Sequence, residues 1–368
     1  MNIISRPIGE MEEHLFNIAK TMNNNYSIIC TTSLSLHKVN NKLLDEGIVF
    51  SKDCLSTTEN LNELLTNYFL SSFKTNEYYT LYHDTDLNLN EVFVYLSKIF
   101  DNPETLHDQS VNLAKHLYEQ STHPKIKGGE FYTVYFKDCI VDGTATDAIG
   151  LFKSENKDTF LKVYPQGDGF EIESEKGVNI NKLDKGCLIF NIEKEKGYVV
   201  SVVDNTNKGA EAQYWKDDFL HVKPRKDEYY NTQNVLSLCK NFVTEELSQQ
   251  SDISKADQVD FLNKSVEYFK KNENFDMEDF AKVVMRKPEV IDSFNQYKSE
   301  YEFARELAIL ENFSISESAV KKQARAIKSV IKLDKNFHIY IHGDSDMIQQ
   351  GIDEEGRKYY KIYYTQES

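Results

Sequence analysis

Apolar positions in this chain recur with two different periods, and the change from one to the other divides it. From Leu61 to Phe73, apolar side chains fall three and four apart at Leu61, Leu64, Leu65, Tyr68 and Phe69, which predicts an amphipathic helix. Leu89–Phe100 and Thr105–Gln120 read the same way. They are parted by Asp101-Asn102-Pro103, and proline suits a first helical turn. Met11–Thr21 is a further short amphipathic candidate, and Tyr26–Leu36 and Glu77–Tyr82 read as strands. Beyond Gly128-Gly129 the chain turns β-rich. Glu130–Val141 is a strand, and Asp147–Phe152 and Thr159–Tyr164 flank a polar loop as a hairpin would. Pro165–Gly169 reads as a turn, and Cys187–Ile192 and Tyr198–Val203 form a second hairpin. Connections this short predict an antiparallel meander rather than parallel crossovers.

After the run that starts at Trp215 the helical period returns, over Thr232–Gln249, Lys255–Lys271, Asp276–Val284 and most of Glu289–Leu310. A last helix is expected from Ser314, which stands at capping-box distance from Glu317, with Val320, Ala324, Ile327 and Ile331 as its apolar stripe. After Asp334 the period becomes two, giving a strand at Phe337–Ile341. A turn-rich stretch, Gly343–Gly356, and a tyrosine-dense strand, Lys358–Tyr364, follow. The fold class predicted is α+β. A mixed, largely antiparallel domain spans 1–228, and a helical domain closed by a C-terminal β-hairpin spans 229–368.

Composition sharpens this picture. The chain has 368 residues, 40% hydrophobic and 28% charged, enough for two or three domains. Its formal net charge of -16 repels nucleic acid and anionic membranes at long range. The last helix runs against that background, because Lys321, Lys322, Arg325, Lys328 and Lys332 line one flank. Five phosphate contacts would give a log-log salt slope of roughly -4 to -5. The plainer alternatives are a solvated face or docking on the chain's own acids. Tyr359, Tyr360, Tyr363 and Tyr364 suit base stacking, cross-strand packing or a homodimer contact.

Other chemistry is thinly marked. Five separated cysteines with no C-x-x-C pair read as reduced thiols of a cytosolic protein. The N-terminus does not read as a signal peptide, and no apolar run is long enough to span a membrane. Phosphate-loop, dinucleotide and nucleophile-elbow motifs are absent, so no cofactor is expected. His338 and His342 share a strand face but stand about 13 Å apart, too far for one metal. His83-Asp84-Thr85-Asp86 lacks a diagnostic ligand spacing. Asp142 and Asp147 bracket a loop that could hold a divalent ion for a nuclease, although aspartate is also an ordinary turn residue. The acid-lysine groups Glu171, Glu173, Lys176 and Glu193, Glu195, Lys196 read as charged hairpin edges.

Two stretches carry a resemblance. KSVIKLDKNFHIYIHGDSDMIQQGIDEEGRKYYKIYY resembles the C-terminal region of bacterial nucleoid-associated proteins of the NdpA/YejK type. EFYTVYFKDCIVDGTATDAIGLFKSENKDTFLKV is similar to the central region of the Bacteroidetes-like versions. The likeness covers most of the chain and is weakest over the first hundred residues. It implies a cytosolic protein on the nucleoid, without enzyme activity. It also implies weak, non-specific contacts with double-stranded DNA or contacts with chromosome-maintenance proteins such as topoisomerases. It places no binding residue. An acidic protein-protein adaptor is the alternative function.

Overall fold

A computed structural model of the chain describes residues 26–27, 30–141, 144–206, 214–249, 253–327, 330–334, 336–340 and 347–366. The amphipathic candidate Met11–Thr21, together with Asp142, Lys328 and His342, lies outside them. The chain divides into two compact units, 1–225 and 226–368.

The first unit is built on one antiparallel sheet. Its strands are β1 (Tyr26–Ser27), β2 (Cys30–Val39), β3 (Ile48–Val49), β4 (Tyr78–Leu81), β5 (Gly129–Val141), β6 (Thr144–Ser154), β9 (Lys185–Phe190), β10 (Val199–Asp204) and β11 (Val222–Pro224). They run in the order β11-β4-β10-β9-β6-β5-β2-β3, with β1 also on β5. Among the described residues, the α-helices of this unit are α1 (Glu59–Leu70), α2 (Glu91–Asp101) and α3 (Leu106–Gln120).

The central strands are apolar on both sides because each side faces a separate core. On β5, Phe131 and Tyr135 join α2 and α3, with Leu96, Leu113 and Trp215. The alternate residues Tyr132, Val134 and Phe136 join α1, with Phe69 and Phe73. Strands β6 and β9 divide in the same way, with Ile149, Leu151, Cys187 and Ile189 on the first side and Phe152, Leu188 and Phe190 on the second. Period-two alternation of side-chain direction thus becomes alternation between two cores.

The turn between β9 and β10 requires glycine. Gly197 has φ +94°, and a Cβ there would stand 1.9 Å from the Leu81 carbonyl oxygen. The Leu81 amide donates to the Gly197 carbonyl at 2.9 Å, so the close approach also joins β4 to the turn.

One hairpin differs from the expectation. Asp147–Phe152 does not pair with Thr159–Tyr164, because β6 already has β5 and β9 as neighbours. The chain instead leaves the sheet after β6. It forms the two-stranded hairpin β7 (Asp158–Gln166) with β8 (Gly169–Gly177), then returns as β9.

Two buried lysines of this unit are matched by polar partners. Lys153 and Lys185 are register partners on β6 and β9, both with fully buried side chains. Lys153 Nζ donates to the Lys127 carbonyl at 2.9 Å and to the Tyr214 hydroxyl at 3.2 Å, and pairs with Glu155 at 3.1 Å. Lys185 Nζ reaches Asp204 and Thr206 Oγ1, each at 2.7 Å. No sequence pattern pointed to this pair, since lysine on a strand is usually solvated.

The second unit is helical. It holds α4 (Glu228–Asn241), α5 (Lys255–Lys271), α6 (Met277–Phe280), α7 (Pro288–Arg305) and α8 (Glu317–Ala326). Ser254 and Asp257 form a capping box at the start of α5, and Asp276 caps α6 by accepting from the Asp279 amide at 2.8 Å. The short strands β12 (Asn274–Asp276) and β13 (Asn312–Ser314) pair beside an aromatic cluster in which Phe275 stacks on Phe269 and on Phe313. Among the described residues the C-terminus holds four strands where two were expected. β14 (Val330–Leu333) pairs with β15 (Phe337–Tyr340), and β16 (Ile348–Ile352) pairs with β17 (Lys358–Ile362). Among the described residues neither hairpin joins the large sheet. Ile331, Leu333, Ile339, Ile348 and Tyr360 pack on Ala256 and Val259 of α5.

Candidate nucleic-acid interface

The basic segment is held by α8 and β14. Helix α8 begins two residues later than the capping-box spacing suggests. Ser314 is the last residue of β13, paired with Asn274, and the Ile315 amide donates to the Glu273 carbonyl, so this stretch is extended. Ser316 is the N-cap instead, its hydroxyl accepting from the Ala319 amide at 3.4 Å. Glu317 lies in the first turn and Arg325 in the last, the arrangement the helix dipole favours.

The helix also ends sooner. It stops at Ala326, and Ile327 has extended geometry, with φ -85° and ψ 102°. The expected stripe Val320, Ala324, Ile327, Ile331 is therefore split between a helix and a strand. A spacing of four fits one face of either element, and the β-branched residues Val330 and Ile331 favour the strand.

The five predicted cations consequently do not form one helical flank. Lys321, Lys322 and Arg325 are on α8 and all exposed, while Ala319 and Val320 are buried behind them. Lys332 is on β14, exposed and in register with the exposed His338 of β15. Lys321 pairs with Glu317 at 3.2 Å, one turn away at the surface, where both side chains are largely exposed. Such a pair contributes only a few tenths of a kcal/mol and exchanges readily for another anion. Lys322 Nζ stands 5.7 Å from the ring centre of the buried Tyr229. Between Glu317 and Leu333 the sequence holds no other acidic residue.

The terminal tyrosines have separate duties. Tyr360 packs inward on the α5 cluster. Tyr359 lies across Gly351 of the partner strand, where a Cβ would meet its ring at 2.5 Å. The Tyr363 hydroxyl donates to Gln349 at 3.0 Å, and Lys361 Nζ is 5.0 Å from its ring centre.

Profile comparison bears on this region and on the rest of the chain. The family model described as nucleoid-associated protein YejK matches residues 35–357. The chain belongs to that family. Membership in the YejK family supports a nucleoid-associated role and covers both units. No individually curated protein matches the chain. Among the described residues, no helix of this YejK-family chain is long and apolar enough to cross a membrane.

Of the acidic groups weighed for chemistry, Asp147, Asp86 and Glu193 have local explanations. The Asp147 carboxylate accepts from the Tyr135 hydroxyl at 2.7 Å and from the Asp138 amide at 3.3 Å. Asp138 has φ +54° at the irregularity between β5 and β6, so Asp147 braces that bulge. Burial, then the hydrogen bond to this carboxylate, raises the Tyr135 pKa. His83 Nδ1 accepts from the Thr85 amide, and Asp86 caps a short turn. Glu193 pairs with Arg225 at 2.6 Å and with Lys196 at 3.7 Å. Burial works to raise its pKa, but these cations outweigh it and the net shift is downward. No cluster of three or more histidine, cysteine or acidic side chains suited to a metal occurs among the described residues.

Proposed function

We propose that this nucleoid-associated protein binds the bacterial chromosome through weak, sequence-independent phosphate contacts made by its second unit. Lys321, Lys322 and Arg325 on α8 provide the contacts, with Lys332 beside them in the chain and Lys328 between the two elements. One observation carries the reading. In a chain of net charge -16, α8 exposes three cations and a single acid over a firmly buried back. Family membership supports the location, and the geometry supports the means. Five contacts on B-DNA correspond to a slope of roughly -4.5 in log K against log salt, which gives weak binding at physiological ionic strength. The reading includes no catalytic step.

The test is duplex binding measured against salt for the parent and for Lys321→Glu/Arg325→Glu/Lys332→Glu. Loss of three cations should flatten the slope by about 3. Superimposable curves would remove this segment from the mechanism. The acidic surplus favours a second reading, an adaptor that takes a basic patch on a chromosome-maintenance protein such as a topoisomerase. Partner capture that survives nuclease treatment would favour it, and capture that vanishes with the DNA would count against it.

A further inference from the structure

The β7–β8 hairpin has two unlike faces. The register places Leu161, Val163, Pro165, Phe170 and Ile172 together on one of them, with Val163 opposite Ile172 and Pro165 opposite Phe170. These side chains are open to solvent: Phe170 is 76% exposed, Leu161 67% and Ile172 63%. The other face carries Phe160, Lys162 and Tyr164 opposite Glu175, Glu173 and Glu171 in turn. Neither β7 nor β8 pairs with another strand among the described residues. A lone two-stranded ribbon is marginally stable in water, and a contiguous apolar patch of this kind marks an interaction surface.

We propose that this face is the interface of a homodimer, covered by the same face of a second copy in a two-fold, antiparallel arrangement. Charge placement points to self-recognition. Lys176 is on the apolar face at the root of the hairpin, in register with Thr159, and Asp168 is in the turn at its tip. Six residues of strand, roughly 20 Å, separate Lys176 from Phe170. Antiparallel packing about a two-fold axis brings each root lysine to the other copy's tip aspartate, the reciprocal pairing that an isologous interface requires. The same arrangement turns both glutamate rows outward. No other face of the hairpin lets two acidic copies meet without opposing those rows. Five apolar side chains at roughly 100 Å² apiece give on the order of 1,000 Å² across both copies, the lower bound for a specific interface.

The inference is independent of DNA binding and is tested by sedimentation equilibrium of the full chain. The parent should show reversible association from 42.7 kDa to twice that mass. Val163→Asp should weaken association by roughly 30-fold or more, as removal of a central contact does. Glu173→Gln, on the other face, should not weaken it. Lys176→Asp alone should weaken association, and Asp168→Lys with Lys176→Asp should restore it. That rescue shows that the arrangement, and not folding, is being read. A parent that stays at 42.7 kDa at every concentration overturns the proposal and leaves the face to a partner of different sequence. So does an association indifferent to both Val163→Asp and the charge swap.

Discussion

At the scale of single residues, His37 is a buried group with a partner for each ring nitrogen. Its Nδ1 accepts the Ser51 amide at 3.2 Å, so the neutral ring carries its proton on Nε2 and donates to Ser110 Oγ at 2.8 Å. Burial, and then the nearby His107, lower its pKa to about 4. Protonation would turn Nδ1 into a donor facing another donor. Because the folded-state pKa lies below the unfolded one, the unfolded chain takes up the proton first as pH falls. The contribution of the neutral ring is complete above about pH 6.5 and is lost progressively down to about pH 4. Its upper bound is about 3 kcal/mol. Urea unfolding across that range should show a stability difference between the parent and His37→Gln that changes with pH. A constant difference would mean that His37 does not titrate as described. None of this was legible in the sequence, where His37 is one histidine among nine in a strand. The partners Ser51 and Ser110 lie 14 and 73 residues away. Cap positions were legible only to within a turn. Ser314 and Ser316 are both plausible caps by spacing, and the pairing of β13 with β12 decides between them.

At the scale of elements, patterning identified most helices and strands where a single period runs undisturbed. Lys255–Lys271 is helical over the whole expected span. It failed where one spacing serves two geometries, as at Ile327 and Ile331, and where pairing partners had to be chosen, as for β6 and β7. The latter choice is made by burial. Residues of β6 are needed by two cores at once, while β7 lacks any such demand. The junction of β6 and β9 also carries the buried lysines. Lys185→Met should destabilise the fold by about 3 kcal/mol, because it leaves the nearly buried Asp204 carboxylate without its cation. Adding Asp204→Asn should recover part of that loss. Chemical denaturation of the three variants measures both effects. Equal stability of parent and single variant would show that the pair is neutral to the fold.

At the scale of the whole molecule, each unit has its own apolar interior. The two cores on the large sheet draw on residues up to Val222, and those of the second unit on residues from Val235 onward. We therefore propose that a chain beginning at Lys226 folds alone, with the helical circular dichroism and cooperative melting of a packed bundle. A non-cooperative melt would show that the second unit depends on the first. Such a fragment would also carry the whole proposed DNA contact, since every candidate cation lies beyond residue 320. The acidic balance visible in the composition says where nucleic acid is not welcome. The proposed exception rests on the cations that α8 exposes.

The hairpin between β6 and β9 has one more consequence. It departs and returns at adjoining strands, so its two ends meet at Lys153 and Lys185, which are direct partners in the sheet. Ser154, Glu155, Val178 and Leu183 still belong to that junction and the interior beneath it, so only the β7–β8 ribbon itself can be lengthened, trimmed or exchanged without disturbing them. A reporter domain grafted at its tip, between Gly167 and Asp168, should therefore be carried without cost to folding.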